Sequence, residues 1–279
     1  MRSVSFTSVL RVSTVLAGVL CLNGSALGVE IYTSVATPNS GLSIGGLTGV
    51  TDNDVVAYNT ATGTGTIAFS AVTGDLDAFH LLPDGSVLFS TLFNTTIAGT
   101  NYDDADLIRY DPATDTASIY FISNSVFTSV APDITGISLL SNGNLLFSML
   151  ASTTMTTPSG PVSFEDGDIM EYDINTGNVS TFYAESDLFD DGDGDVYGIH
   201  ALSDTELVLS FNTAEVIDGV SYTSNDLVLL DVTTGATSLY AANFWDVGST
   251  IDAVYVVVPE PASLSLLGLG GMSLLRRRR

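Results

Sequence analysis

Aspartates at every second position make the string Asp190-Asp191-Gly192-Asp193-Gly194-Asp195 the stretch of this chain best suited to hold a metal. Calcium takes about six to eight oxygen ligands at flexible geometry, and Asp191, Asp193 and Asp195 on a glycine-rich loop could supply several. The rest of a twelve-residue calcium loop (about that length) is missing: Val196 stands where the turning glycine belongs and Leu202 where the closing acid belongs. Asp195 also aligns with Asp75 and Asp133 in a repeat, which favours turn-capping, while Asp191 and Asp193 also fit a plain acidic loop tip. Two histidines, His80 and His200, could ligate a metal or carry a proton, and they fall at equivalent repeat positions whose other occupants are Ser138 and Tyr255. Facing imidazoles in a channel suit a transition metal; packing between sheets is the plainer use. Asp77 and Asp252 bring acid to what reads as the same end without completing a known constellation. No catalytic residue is assigned. The chain has no lysine and a single cysteine, which removes Schiff-base chemistry and leaves thiol templates bare.

These residues are positioned by an internal repeat, the feature to seek before any local reading. Asp54-Val-Val-Ala-Tyr58, Asp106-Leu-Ile-Arg-Tyr110, Asp168-Ile-Met-Glu-Tyr172 and Asp226-Leu-Val-Leu-Leu230 line up, each running into a turn: NTATG, DPATD, DINTG, DVTTG. Asn or Asp opens such a turn by capping its own backbone. Recurrence of the leading aspartate in every copy points to a structural hydrogen bond. Four residues earlier stands Val50, Tyr102, Phe164 or Tyr222. A second unit alternates with the first: Leu76–Leu82, Ile134–Leu140, Val196–Leu202 and Ile251–Val257, three of them leading through PDG, SNG or SDT into another short apolar strand. β-Branched and aromatic runs between such turns read as antiparallel strands.

Four strands in roughly 50 to 60 residues fit a propeller blade. The fourth copy is split: its inner strand is Ile251–Val257, its second matches Glu30-Ile-Tyr-Thr-Ser34, and its outer two lie near Asp54–Tyr58 and Thr66–Phe69. Pairing the two ends would close a ring and remove the exposed edge. The sequence therefore predicts an all-β, four-bladed β-propeller over residues 29–257, with a β-sandwich or a larger propeller as alternatives. The third residue of each inner strand is small (Ala78, Gly136, Gly198, Ala253), as crowding around an axis requires.

Both ends carry handling signals. Arg2 and Arg11 precede the apolar stretch Val12–Leu22, and Ala26-Leu27-Gly28 offers small residues for cleavage before Val29, so residues 1–28 read as a secretory signal peptide for signal peptidase. It removes Cys21, leaving no thiol. At the other end Val258-Pro259-Glu260-Pro261 is followed by an apolar run over 262–275 and then Arg276 to Arg279. A span needs roughly 20 apolar residues, so this short hydrophobic helix would pause in a membrane rather than hold there, with the arginines on the cytoplasmic side. Residues 258–279 resemble the PEP-CTERM sorting domain of bacterial envelope proteins. The resemblance implies processing by an exosortase-type enzyme, a cell-envelope or extracellular destination with membrane attachment through 262–275, and a link to exopolysaccharide or another surface polymer.

Six of the seven basic residues lie in these two ends, leaving Arg109, while every acid but Glu260 falls between 29 and 258. Such a surface repels nucleic acid; it stays soluble in salt or attracts divalent cations, so calcium is the one cofactor the sequence brings forward. Two functions follow: a non-enzymatic surface or matrix protein with a binding or structural role, or a secreted calcium-dependent propeller hydrolase or lactonase. An enzyme should gather carboxylates and an imidazole at one mouth of the channel; a scaffold should scatter its acids.

Overall fold

Short runs such as Leu145-Leu-Phe-Ser-Met149 are bounded by Asn, Asp and Gly turns too closely spaced for helices, and they extend into strands. The computed structural model describes residues 28–36, 42–70, 75–97, 99–121, 133–242, 245 and 249–258. The chain begins with β1 (Glu30–Val35), a small hairpin of β2 (Leu42–Ile44) and β3 (Leu47–Val50), then β4 (Asp54–Asn59) and β5 (Thr64–Ser70). A complete unit follows: β6 (Leu76–Leu81), β7 (Val87–Thr91), the hairpin β8 (Thr95–Ile97) and β9 (Thr100–Tyr102), β10 (Leu107–Asp111) and β11 (Thr116–Phe121). The next is β12 (Ile134–Leu139), β13 (Leu145–Met149), β14 (Thr153–Thr157), β15 (Gly160–Phe164), β16 (Ile169–Tyr172) and β17 (Val179–Tyr183), followed by the one-turn helix α1 (Glu185–Leu188). The last full unit is β18 (Val196–Ser203), β19 (Glu206–Phe211), β20 (Glu215–Ile217), β21 (Val220–Tyr222), β22 (Asp226–Asp231) and β23 (Thr237–Ala242); β24 (Ile251–Val257) ends the described strands.

Four antiparallel four-stranded sheets result, in the orders β6-β7-β10-β11, β12-β13-β16-β17, β18-β19-β22-β23 and β24-β1-β4-β5. The fourth contains both ends of the chain: Glu30 pairs with Val257, Tyr32 with Tyr255 and Thr33 with Val254, while the other edge of β1 pairs with β4. The inner strands β6, β12, β18 and β24 contact one another in a ring, and opposite members also meet across it. This is a four-bladed β-propeller.

Its core is divided among the four interfaces between blades. One apolar cluster joins Ala78, Leu88 and Leu107 to Ile137, Phe147 and Met170; a second joins Leu146 and Ile169 to Leu207, Leu209 and Phe211. A third joins Val208 and Leu227 to Ile31, Val56 and Val254, and the last returns from Val55 and Ala253 to Phe79, Phe89 and Ile108. Burial falls outward within a blade: every residue of β7 is buried, whereas β11 is largely exposed. Stability thus comes from stacking blades face to face.

Each blade inserts a two-stranded hairpin between its second and third strands. The residues Val50, Tyr102, Phe164 and Tyr222 end these hairpins as buried pegs. The aspartate four positions later then accepts a backbone N–H from three residues before it: Thr51 to Asp54 at 2.9 Å, Asp103 to Asp106 at 3.1 Å, Glu165 to Asp168 at 3.1 Å and Thr223 to Asp226 at 2.8 Å. The repeated aspartates hold the re-entry into the third strand.

Among the described residues no helix is long and apolar enough to cross a membrane. The signal-peptide reading over 1–28 (apart from Gly28), the hydrophobic segment 262–275 and all of the sorting motif except Val258 lie outside the described residues.

Candidate functional site

Every inner strand carries an irregularity near its start. Pairing jumps between Leu76 and Ala78, between Ile134 and Gly136, between Val196 and Ile199, and on β1 between Thr33 and Val35 opposite β24. Bulges re-aim side chains at sheet edges and sites, and here the residues at the break include Asp77, Thr135, Tyr197 and Asp252. A buried serine on the second strand fixes each break. Ser34 Oγ donates to the Leu76 carbonyl of the next blade and accepts from Ala253 N–H; Ser90 Oγ donates to the Ile134 carbonyl. Ser148 shares a hydrogen bond with Thr135, whose hydroxyl reaches the Val196 carbonyl, and Ser210 accepts from Gly198 N–H at 2.8 Å. The serines recur in the sequence at the same place in each second strand, after Thr33, Phe89, Phe147 and Leu209, a signal that sequence reasoning passed over.

The breaks bring acids together at one end of the axis. Asp75, Asp77 and Asp252 have carboxylate oxygens all within 4.8 Å of one another, and they are the only such group of three or more metal-capable side chains among the described residues. Asp133, at the entry of the next inner strand, approaches Asp77 closely enough to share a proton. Asp252 is 1% exposed, Asp77 5% and Asp133 8%, while Asp75 is half-buried. One oxygen each of Asp75, Asp77 and Asp252, and both of Asp133, are buried with no hydrogen-bond partner.

Electrostatics follow from that crowding. Burial first, then Asp52, pushes the Asp75 carboxyl up to about 6. Asp77 is raised strongly by burial and then by Asp252, Asp133 and Asp75; Asp133 and Asp252 are raised by burial with neighbouring acids adding to it. The Tyr197 phenol is raised as well, by burial and then by Asp252, Asp195, Asp77 and Asp133. Two unit charges of one sign about 4 Å apart repel by about 4 kcal/mol at an effective dielectric near 20, so this end cannot carry all its charges bare.

The imidazoles occupy a different level. Three residues of strand, about 10 Å, separate Asp77 from His80, and between them lies the tier of Ala78, Gly136, Gly198 and Ala253. Acid and imidazole therefore do not share an end, contrary to the placement of Asp77 and Asp252 expected from sequence. His80 and His200 do face each other, with ring centroids 6.2 Å apart, and Tyr255 packs on both at 5.0 and 4.4 Å. Ser138, the fourth member, turns its hydroxyl to the Ala201 N–H. Burial lowers His80 to about 4; burial and then His80 lower His200 to about 3, and no carboxylate contributes to either. Both are neutral rings in an apolar plug.

The loop acids stand elsewhere. Asp191 and Asp193 are exposed, with the Asp193 N–H donating to Asp191 at 3.3 Å. Asp195 accepts from the Asn212 amide at 3.0 Å, and Asp190 caps the β20–β21 turn through the Asp218 and Gly219 N–H groups. The structure does not draw the three together as it does the axial group. Arg109 lies outermost, paired with exposed Asp84 beside Ser86.

With the ring and its axis in view, the chain is of the propeller class. The PEP-CTERM protein-sorting motif matches residues 257–279; that motif implies an exported, envelope-associated protein handled by an exosortase. No curated protein matches the sequence. Among solved structures, a streptogramin B lyase is 14% identical, covering 78% of this chain and 75% of its own with a TM-score of 0.35. Virginiamycin B lyase from Staphylococcus aureus is 12% identical, with 77% and 89% covered and a TM-score of 0.36. A nidogen/laminin complex gives 7% identity, 84% and 100% coverage, and a TM-score of 0.40. The architecture itself rests on the sheet order and closure described above.

Proposed function

We propose that this chain is a non-catalytic propeller displayed at the cell envelope or in the extracellular matrix, released or attached through its sorting tail, with a binding or structural role. The observation that carries the reading is the separation along the axis: the carboxylates lie at one end and both imidazoles at another level. Proton transfer needs donor and acceptor within hydrogen-bond reach, and no imidazole supports the acids. Lysine is absent and the only arginine of the folded region pairs at the periphery. An uncharged or cation-bridged surface polymer suits so acidic a surface better than an anionic one.

One observation favours the calcium-dependent hydrolase or lactonase as a second reading, namely that four carboxylates do converge. A screen of the mature protein against esters, lactones and glycosides separates the two. Silence on all three supports the non-catalytic role; turnover abolished by Asp77→Asn replaces it with the hydrolase. Intact mass of the protein from its envelope tests the handling, with a C-terminus near 259–261 expected and retention of Arg276 to Arg279 contradicting it.

A further inference from the structure

We propose that Asp75, Asp77, Asp133 and Asp252 hold one divalent cation of the calcium class at the acidic mouth of the ring. The carboxyls of Asp75, Asp77 and Asp252 meet, with Asp133 from a third blade beside Asp77, where no arginine, lysine or histidine of the described residues pairs with them. Acids in a solvated loop need no explanation. These do, because Asp252, Asp77 and Asp133 are each more than nine-tenths buried and keep carboxylate oxygens without a hydrogen-bond donor. A buried charge left unpaired is costly, and the four buried serine hydroxyls of the second strands are already spent: Ser34, Ser90 and Ser210 bond backbone groups and Ser148 bonds Thr135 instead of turning to the acids.

The spacing and chemistry choose the cation. Oxygens on opposite sides of a calcium ion lie up to about 5 Å apart, twice its usual ligand distance, and the oxygens of Asp75, Asp77 and Asp252 fall within 4.8 Å. An all-oxygen, anionic donor set with no thiolate or imidazole selects a hard cation over zinc or copper. The bulges at Leu76/Ala78 on β6 and opposite β24 are what bring Asp77 and Asp252 to the same point. Half-buried Asp75 leaves the mouth a side through which an ion can enter. Without the ion, crowding raises these carboxyls, so binding should displace protons and tighten as pH rises.

Calcium titration of the chelator-stripped mature protein by calorimetry at neutral pH tests this. Expected are about one ion per chain, a melting temperature higher by about 5 °C at saturation, and at least a thirtyfold weaker affinity in Asp252→Asn. A double substitution of the loop, Asp191→Asn with Asp193→Asn, should leave the affinity within about twofold. Absence of heat with the wild type overturns the proposal, as does binding lost in the loop variant and kept in Asp252→Asn. A melting comparison guards against a variant that merely misfolds: Asp252→Asn should melt above the wild type in chelator, because one like charge is gone, and below it in calcium. Asp75→Asn, at the half-buried position, should show the same crossing. If calcium leaves the wild type unmoved and both variants melt above it in either buffer, the acids share protons alone and the proposal falls. The inference is independent of the enzymatic question, which the substrate screen decides by itself.

Discussion

The two ends of the propeller axis are built by the same four strands and solve burial in opposite ways. At one end Asp77 and Asp252 stand beside Thr135 and Tyr197, with Asp75 and Asp133 at the strand entries; at the other stand His80, Ser138, His200 and Tyr255. Imidazole can lose its charge within the pH range of life, so burial drives it neutral and the rings stack as ordinary packing. Carboxyls can do so only by holding protons well above their ordinary range, or by meeting a cation. Equal geometry with unequal chemistry makes one end a plug and the other a site.

The sharpest way to break the contrast is to breach the tier between the ends. A Cβ at Gly136 would press on the Tyr197 carbonyl, 2.7 Å from Ser148 Oγ and 2.9 Å from Ile199. Gly136→Val should cost about 3 kcal/mol or more, lowering the melting temperature by roughly 6–12 °C and disturbing both levels at once. Next comes a milder change at the break of a single inner strand. Ser210→Ala removes the acceptor for the buried Gly198 N–H and should cost about 1–2 kcal/mol by thermal melting, with His80 and His200 resonances unmoved in an NMR spectrum.

pH separates the ends by sign. The folded His80 and His200 titrate near 4 and 3 against 6.5 when free, so the unfolded chain binds more protons and their contribution is lost as pH falls from about 6.5. Folded Asp75 titrates near 6 against 3.8, so the folded chain binds the extra proton and stability falls as pH rises through that window, with Asp77 and Asp252 extending the fall upward. In chelator the two trends oppose each other between about pH 4 and 6. Replacing both histidines, as in H80F/H200F, should leave the acid trend alone, giving a melting temperature that only declines from pH 4 to 7. A rise over that interval would contradict the assignment. The smallest effect belongs to the periphery: Arg109→Ala breaks an exposed pair and should move melting by less than about 1 °C.

Much of the ring could be read in advance, because a blade writes itself into the chain four times. The inner strand Ile251–Val257 and its N-terminal partner were predicted almost to the residue, since turn chemistry and small axial residues recur in register. The inserted hairpins were not predicted, although Val50, Tyr102, Phe164 and Tyr222 stood out; strands of three residues, such as Thr95–Ile97, are too short for alternation to register. The acidic mouth was legible only in part: repeat register brings Asp77 and Asp252 to one end, but Asp75 and Asp133 read as turn caps. They sit just before their strands, where the bulges break the two-residue period that assigns a face. A contiguous string like Asp190–Asp195 attracts attention that convergent singletons do not.

Closure by β1 and β24 carries a consequence for biogenesis. The first strand to leave the translocation machinery has one long edge that nothing can satisfy until residues 251–257 have followed it. Three blades can assemble while the chain is still emerging, but the circle is completed only by its final strand. Val258 comes immediately after that strand, so the beginning of the sorting motif abuts the seam. A polypeptide interrupted before residue 251 would lack both the last staple of the ring and the address that follows it.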